Sequence, residues 1–326
     1  MPTSTVSWPR GFRVGHHTDL ERATGCTVIL PPPGSVGARD VRGGGASTSQ
    51  SDLLAADVPF GDVTALLLTG GSALGLAATA GVVEWCQSQG LGYDVEIARV
   101  PIVPTAVIFD LGIGGGARHP GPADGAAACE VAVEAAPASG CVGAGTGATV
   151  GKLFGRDGWC KGGLGSASAE LPSGARVAAL AVVNAFGDVI DERGQVLAGA
   201  WAPGVGFVDA RLAVTHVAPT HPRMVSNTTL VVIMTDARLT KPEAAQVSRL
   251  ASSGMARAIA PVHTPIDGDV AFVLSAGEIP ATAFEVGTVA ATLTASAIRD
   301  AVRSAASLRG VPAASARWST RRPRST

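Results

Sequence analysis

Residues 226–234, SNTTLVVIM, join a polar, turn-forming run to the most strand-like segment of the chain. The preceding residues 218–223, APTHPR, contain two prolines, which lack a backbone donor and disfavour helix, so an exposed loop is predicted there. Residues 230–234 are apolar and mostly β-branched, a pattern that predicts a strand buried on both faces. Thr228 therefore stands where a loop enters a central strand.

A threonine in this position has a chemical use once its own amino group is free. Its hydroxyl is then a nucleophile, and the α-amine, with an unperturbed pKa of about 7.7 to 8.0, can accept the proton at neutral pH. Cleavage of the Asn227–Thr228 bond would create that amine, and the Thr228 hydroxyl can itself attack the preceding carbonyl to form an ester that water resolves. Two other interpretations stay open, namely an N-glycosylation site at residues 227–229, which needs a secretory route, and an ordinary strand start.

The composition limits the class of protein. The 326 residues are 46% hydrophobic with a mean hydropathy of +0.31, which supplies a large core and excludes a disordered chain. A net charge of −1 provides no field for attracting nucleic acid or an anionic membrane, so neither partner is expected and small neutral substrates fit better.

The cysteines and the absence of targeting signals suggest a compartment. The five cysteines are odd in number and form no C-x-x-C pair, so neither a disulfide framework nor a zinc site is predicted, and reduced thiols are expected. The start of the chain lacks an apolar signal region, and no run of about 18 apolar residues occurs. We therefore expect a cytoplasmic protein with no metal and no cofactor.

A βα unit is predicted over residues 64–89. Its strand covers residues 64–68, its turn is Gly70-Gly71-Ser72, and its helix runs from about Ala73 to Gln89. A glycine turn that leads into a helix favours anions through free backbone donors and the helix dipole, so a carboxylate or oxyanion would dock there. Tight packing of the strand on the helix explains the same glycines equally well.

A second glycine-rich segment resembles nucleotide-binding loops but departs from them. Residues 143–148, GAGTGA, fit the dinucleotide pattern superficially, but they lack a clear preceding strand and a following acidic residue. The phosphate-loop pattern fails at Thr146, where it needs glycine, and at Leu153, where it needs Ser or Thr. What remains is Lys152 on a glycine loop. A lone lysine is usually solvated, but few charged residues surround this one, and such a lysine could be partly buried beside a reaction centre.

Polar residues also stand at the ends of two further predicted strands. Residues 177–183 form an apolar strand that ends at Asn184, whose amide is either a simple strand cap or a donor to a developing oxyanion. Asp267 and Asp269 flank Gly268 just before the strand at residues 270–274. These carboxylates are either turn residues or a pair that holds an ammonium group, with calcium a weaker alternative because oxygen ligands are few.

The other predicted elements complete the outline. We expect a hairpin within residues 12–32 that places His16 and His17 on opposite faces, a close backbone approach at residues 43–45, and a strand at residues 104–111 that carries Asp110 near its end. Helices are predicted at residues 126–136, from the capping box at Thr240 through Ala258, and at 287–307, followed by a frayed basic tail at 309–326.

Five blocks of residues together resemble the self-processing N-terminal-nucleophile peptidases. The family includes the DmpA-type L-aminopeptidase/D-esterases, the β-peptidyl aminopeptidases and the nylon-oligomer hydrolases. The blocks occur in family order across roughly residues 10–305, and they are residues 68–73, 103–111, 143–152, 227–229 and 263–269.

The resemblance implies an α+β fold, a four-layer αββα sandwich of the DmpA/ArgJ type. It also implies a single domain over residues 1–326, cut between Asn227 and Thr228 into a 1–227 α subunit and a 228–326 β subunit that assemble as a homo-oligomer of heterodimers. By the motif, Thr228 would be the nucleophile, Lys152 and Asn184 its electrostatic and oxyanion-side partners. Asp267 and Asp269 would support the freed amine and the lysine.

One departure concerns substrate binding. Nylon hydrolases have tyrosine where this chain has Phe109, so a hydroxyl contact is absent and substrate preference does not transfer. The expected function is an aminopeptidase on small peptides or related amides. The alternatives are an endo-acting amidase on nylon-like oligomers, a nucleotide-binding protein that uses residues 143–152, and a non-catalytic relative that stays uncut.

Overall fold

The computed structural model of the chain describes residues 8–116, 118–213, 215–216 and 227–319. The loop predicted at residues 218–223 lies outside the described residues. Within them, the strands are β1 Arg13–Asp19, β2 Thr24–Leu30, β3 Val36–Val41, β4 Thr48–Ser49, β5 Leu66–Thr69, β6 Tyr93–Asp94, β7 Arg99–Val100, β8 Thr105–Val107, β9 Thr149–Val150, β10 Cys160–Lys161, β11 Gly163–Glu170, β12 Arg176–Asn184, β13 Asp188–Ile190, β14 Val196–Ala198, β15 Trp201–Ala202, β16 Gly206–Phe207, β17 Thr228–Arg238, β18 Ile259–Ala260 and β19 Val270–Pro280.

The α-helices are α1 Ala78–Ser88, α2 Pro122–Glu130, α3 Ala210–Ala213, α4 Lys241–Ala256, α5 Ala283–Arg303 and α6 Ala314–Ser319. Short 3₁₀ segments cover Ser51–Leu54, Ser72–Ala77, Gly143–Gly145 and Arg156–Gly158. No helix among the described residues combines the length and the apolar character that crossing a membrane requires.

Two five-stranded sheets face each other and form the centre of the molecule. One sheet has the order β1-β2-β5-β8-β4 and the other β11-β12-β17-β19-β3. An apolar cluster that includes Leu68, Leu180 and Val232 fills the space between the sheets. Helices α1 and α2 cover the outside of the first sheet, and α4 and α5 cover the outside of the second. The predicted four-layer αββα sandwich is confirmed.

Strand β17 is the centre of the second sheet, as its sequence predicts. Every residue from Thr228 to Ala237 is buried, because the strand has a sheet on one face and helices on the other. It pairs antiparallel with β12 on one side and parallel with β19 on the other. The two neighbours fix the position of Thr228 from both directions.

The two helices behind this sheet begin at capping boxes. Thr240 and Glu243 form the box of α4, and Thr282 and Glu285 form that of α5. Gly254 lets the helices approach closely, since a Cβ there would lie 2.4 Å from the carbonyl oxygen of Ala291 on α5. The box at Thr240 and the helix that follows were both predicted.

Several predicted elements have different bounds; the helix expected at residues 287–307, for example, is α5 at Ala283–Arg303. The strand expected at residues 104–111 ends at Val107, because the carboxylate of Asp110 binds a neighbouring turn and bends the chain away from the ladder. The helix expected at residues 126–136 instead begins at Pro122, whose fixed φ suits the first helical position, and ends at Glu130. Alanine content alone therefore placed this helix too late.

The frayed tail expected from residue 309 is wrong for the part that the structure describes, up to residue 319. Val311 is 2% exposed, and helix α6 follows it. The Arg317 guanidinium lies 4.1 Å from the centre of the Trp201 ring and donates to the Asp157 carbonyl at 2.7 Å. Stacking and backbone hydrogen bonds therefore hold a basic segment that composition alone suggested was solvated.

The predictions for the first two strands hold. β1 and β2 form the expected hairpin, and His16 and His17 point to opposite faces, with His16 on the Thr27 hydroxyl and His17 on Asp124. The five cysteines are free thiols, and all are buried except the half-buried Cys141. Among the residues that the structure describes, no cluster of three or more His, Cys, Asp or Glu side chains is arranged for a metal ion.

Candidate active site

The Thr228 hydroxyl lies against the peptide bond that precedes it. Thr228 is 6% exposed at the start of β17, and its Oγ1 donates to the carbonyl oxygen of Asn227 at 2.5 Å. The backbone N–H of Gly268 donates to the same oxygen at 2.8 Å. A hydroxyl and an N–H donor thus converge on one carbonyl group.

Asn184 is the residue directly opposite Thr228 in the antiparallel ladder of β12 and β17. The Nζ atom of Lys152 donates to its backbone oxygen at 3.2 Å and to its Oδ1 at 3.0 Å. Oδ1 also accepts from the Thr149 N–H at 3.0 Å, and Nδ2 donates to the Phe109 carbonyl at 3.2 Å. Hydrogen bonds therefore fix the Asn184 side chain on both sides, and its Oδ1 holds the Lys152 ammonium group in place.

Lys152 is buried, and burial lowers the pKa of its ammonium group to about 7. The negative charge of Asp267 opposes this shift, the positive charge of Lys161 adds to it, and Asp110 opposes it weakly. The Trp159 ring lies 5.7 Å from Nζ. A substantial share of neutral amine is therefore present at neutral pH, which suits a group that exchanges protons.

Asp269 forms a hydrogen bond to strand β17, which begins at Thr228. Its Oδ1 accepts from the Thr229 N–H at 2.7 Å, and its Oδ2 accepts from the backbone N–H of His263 at 3.0 Å and lies 2.9 Å from the ring Nδ1. The carboxylate therefore anchors the residue that follows Thr228.

Asp267 joins two other segments around the site. Its Oδ1 accepts from the Phe186 N–H at 3.2 Å, and its Oδ2 accepts from the Thr264 N–H at 3.1 Å and from the Thr264 hydroxyl. Burial raises the pKa of this carboxyl group, and the neighbouring charge of Asp269 raises it further. Both predicted aspartates thus lie at the site, with hydrogen bonds to the segments that carry Thr228 and Asn184.

The glycine run at residues 43–45 supports this loop through its backbone. The N–H of Gly45 donates to the Asp267 carbonyl at 2.8 Å, and that of Gly43 donates to the Asp269 carbonyl at 3.3 Å. A Cβ on Gly43 would lie 2.2 Å from the Asp267 oxygen. The close backbone approach predicted for these glycines is therefore present.

The predicted substrate-binding residues divide into two groups. Phe109 is half-buried, and its carbonyl touches the Asn184 amide, so it borders the site. The Gly70, Gly71 and Ser72 N–H groups donate to Gly25, Asp110 and Ile108 at 2.9, 2.7 and 2.9 Å. The anion at this turn is the protein's own Asp110 carboxylate, which favours the packing explanation of the glycines.

The backbone donors of the dinucleotide-like segment are also engaged. The N–H groups of Gly143 and Ala144 donate to Thr18 and Thr27, and that of Thr149 donates to Asn184. The N–H groups of Thr146 and Ala148 donate within the segment itself, and that of Gly145 donates to the carbonyl of Val142 just before it. The loop therefore presents Lys152 rather than a phosphate cradle.

Sequence reasoning missed two residues at or behind the site. Gly268 was predicted only as the turn between two aspartates, but its N–H reaches the Asn227 carbonyl. Lys161 was overlooked, although it is completely buried and donates to two backbone carbonyls. Its signal in the sequence was a single charge between Cys160 and the glycines that lead into β11.

Known proteins give an independent comparison. The chain is 38% identical to an uncharacterized aminopeptidase of Mycobacterium leprae, over 95% of this chain and 93% of the relative. It is 32% identical to a 6-aminohexanoate-oligomer endohydrolase of a Kocuria species, over 82% of this chain and 74% of the relative. The solved L-aminopeptidase D-Ala-esterase/amidase of Ochrobactrum anthropi, described as a variant of the Ntn hydrolase fold, superposes with a TM-score of 0.69 at 19% identity over 94% of this chain and 89% of that one.

The structural likeness shows the Ntn hydrolase fold, in agreement with the αββα layers. The sequence profile of peptidase family S58 matches residues 10–315, which include every residue of the site described above. The protein is a hydrolase of peptide or amide bonds, and this chain belongs to peptidase family S58.

Proposed function

We propose that the chain cuts itself between Asn227 and Thr228 and that the freed Thr228 is the nucleophile of an aminopeptidase. In the first step the Thr228 hydroxyl attacks the Asn227 carbonyl carbon, and the Thr228 nitrogen receives a proton as the C–N bond breaks. The product is an ester between Asn227 and the Thr228 oxygen. Water then hydrolyses the ester, which leaves a carboxylate on Asn227 and an α-amine on Thr228.

One observation carries this proposal. The carbonyl oxygen of Asn227 accepts from both the Thr228 hydroxyl and the Gly268 N–H, at 2.5 and 2.8 Å. The Gly268 donor is in position to stabilise the negative charge that develops on this oxygen during attack. A buried hydroxyl beside its own preceding carbonyl, with such a donor in place, supports an N-to-O acyl shift.

Lys152 suits the uncut chain for a separate reason. The Thr228 nitrogen is an amide before cleavage and has no basicity, so another group must take the hydroxyl proton. Lys152 has a pKa of about 7 and is held by Asn184, the residue opposite Thr228. After cleavage the α-amine of Thr228 becomes the base, and the Asn184 amide and Lys152 act on the oxyanion side.

The relatives favour exo-cleavage of small peptides or related amides. The aminopeptidase relative is the more similar of the two curated proteins and covers more of the chain than the endohydrolase, at 38% against 32% identity. Phe109, half-buried beside Asn184, would line the substrate pocket. An endo-acting amidase on nylon-like oligomers is the second candidate.

We further propose that the fragments 1–227 and 228–326 stay together after cleavage and form a cytoplasmic homo-oligomer. Strands β17 and β19 of the second fragment lie between β12 and β3 of the first in one sheet, so separation would break two ladders. Buried free thiols fit a reducing compartment.

Intact mass of the denatured protein tests the proposal. The wild-type chain should give two pieces that correspond to residues 1–227 and 228–326, and Thr228→Ser should still be cut. Thr228→Ala should remain whole, whereas Thr235→Ala, which removes a buried hydroxyl further along β17, should cut normally. An uncut wild-type chain would support a non-catalytic relative, and cleavage of Thr228→Ala at the same bond would refute the intramolecular mechanism.

A further inference from the structure

Lys161 is a buried charge without a part in the chemistry described so far. It lies on β10, is 0% exposed, and its Nζ donates to the backbone oxygens of Thr146 and Ala148 at 3.0 and 2.5 Å. Its strand pairs with β9, which begins at Thr149. The lysine therefore fixes the loop immediately before the N–H group that binds Asn184.

Asp110 is the second such charge. It is 4% exposed, and its carboxylate accepts from the Thr24 hydroxyl and from the Gly71 N–H, each at 2.7 Å. It follows Phe109, whose carbonyl oxygen accepts from Asn184 Nδ2. The carboxylate therefore fixes the backbone next to the second contact of the Asn184 amide.

Two backbone groups bind the Asn184 side chain, the Thr149 N–H and the Phe109 carbonyl, and each lies next to a residue that carries or binds a buried charge. Thr149 follows Ala148, which Lys161 binds, and Phe109 precedes Asp110. Gly147 brings the two sides together, because a Cβ there would lie 2.5 Å from the Asp110 Cβ. The Asp110 carboxylate and the Lys161-bound loop consequently pack against each other.

We propose that Lys161 and Asp110 are two neighbouring buried charges that together position the Asn184 amide for the reaction. This inference rests on the function proposed above, because Asn184 acts there as the partner of Lys152 and Thr228. Lys161 and Asp110 are positioning residues, since their hydrogen bonds are to backbone groups and the Thr24 hydroxyl and not to Thr228 or Asn184. Neither charge is accessible to solvent, so the pair is retained at the cost of burying two ions.

The pair also acts on Lys152 through space, in opposite directions. The charge of Lys161 lowers the pKa of Lys152, and the charge of Asp110 raises it. Burial raises the pKa of Asp110 to about 6 and lowers that of Lys161 to about 8, so both groups are charged between these values. The other titratable groups involved are Asp267, which acts on Lys152, and Cys141 and Cys160, which act on Lys161.

Self-cleavage is the measurement that tests the pair without a choice of substrate. The chain is made by cell-free translation, synthesis is stopped, and the cut fraction is followed in time between about pH 5 and 9. Asp110→Asn and Lys161→Met should both slow cleavage by about 10- to 100-fold, because a small misplacement of a catalytic group has this effect. The pH at which the cleavage rate reaches half of its maximum, here called the midpoint, should fall in Asp110→Asn and rise in Lys161→Met.

Two matched variants serve as controls. Asp236 is also 4% exposed and accepts from Arg10 and Arg176, near the end of β17 away from Thr228. Lys241 also donates to two backbone carbonyls, those of Leu53 and Phe60. Asp236→Asn and Lys241→Met should change the cleavage rate by less than about twofold and leave the midpoint in place, since neither site adjoins Asn184.

A double variant separates an effect on folding from an effect on the mechanism. Loss of one buried charge leaves the other unpaired and destabilises the fold, so the double variant Asp110→Asn/Lys161→Met removes both charges together. The folded double variant should still cut at least about 10-fold more slowly, because the hydrogen bonds of Lys161 to the Thr146 and Ala148 carbonyls are lost. Wild-type rates in the double variant, or midpoints that move in the same direction in the single variants, overturn the inference. Cleavage of Thr228→Ala would instead overturn the proposed function.

Discussion

Gly268→Ala should slow self-cleavage while leaving the sheet intact. A Cβ at residue 268 would lie 2.7 Å from the Thr228 Oγ1, with the Gly45 oxygen at 3.1 Å and the Ala46 Cα at 3.3 Å as its next neighbours. The new methyl group therefore meets the attacking oxygen first. Backbone atoms close the other sides, so the methyl group cannot turn away.

The size of the effect follows from these distances. An ordinary contact begins at 3.4 Å, so the gap between the methyl group and the Thr228 oxygen must open from 2.7 Å by about 0.7 Å. A displacement of about 1 Å at a reacting group can cost about 100-fold in rate. We expect cleavage to slow by about 10- to 100-fold, with a loss of about 1 to 3 kcal/mol in the free energy of unfolding from overpacking.

The assay compares the half-time of cleavage, from denaturing gels or intact mass, in three chains. Gly61→Ala is the control, because its Cβ would meet only the Lys241 Cδ at 3.4 Å and looser neighbours. A folded Gly268→Ala chain that cuts at the wild-type rate would refute the reasoning, since the Thr228 hydroxyl would then not attack from the observed position. Slow cleavage in Gly61→Ala as well would point to general destabilisation.

Three further outcomes are expected. Phe109→Tyr should change relative rates across a panel of amide substrates but leave self-cleavage unaltered, since the hydrogen bond to Asn184 is made by the backbone carbonyl of residue 109. Unchanged selectivity would make the ring a packing residue. Asp269→Asn should lower kcat/KM by about 100-fold and move the pH profile to lower pH, because a negative charge that favours the ammonium form of the freed Thr228 α-amine is lost. A wild-type profile would contradict this role. Burial lowers the pKa of His16 to about 4, so the folded state favours the neutral ring. The free energy of unfolding should therefore fall by up to about 3 kcal/mol as the pH drops from about 6.5 to 4. Urea titrations at each pH measure this fall, which should be shallower in the variant His16→Gln.

Much of the fold was predictable because local pattern and tertiary environment agree. The continuous apolar run of β17 indicated a strand covered on both faces, and the capping box at Thr240 marked the start of α4. The helix at residues 122–130 was displaced because alanine favours helix without marking its ends, whereas Pro122 does mark one. The tail was misjudged because basic composition does not reveal an aromatic partner such as Trp201.

The sequence singles out the candidate site residues one by one but not their contacts. Each proposed residue stands at a strand end or on a glycine loop, which the chain shows directly. The pairing of Asn184 with Thr228 depends on the register of β12 against β17. Register is read from the alternation of apolar and polar residues, and both strands are buried on both faces, so that signal is missing.

Lys161 and Gly268 were overlooked for a different reason. Their importance lies in carbonyl oxygens that approach them from distant parts of the chain, at Thr146, Ala148 and Asn227. Backbone acceptors leave no trace in residue identity, since every residue carries one. What the sequence does record is the residue type of each donor. Gly268, which lies beside the Thr228 hydroxyl, has no Cβ, and Lys161 is the single charge in a segment of buried residues. An ammonium group in such a segment must find acceptors, so a lone lysine among buried small residues predicts a backbone-binding site even where the partners are unknown.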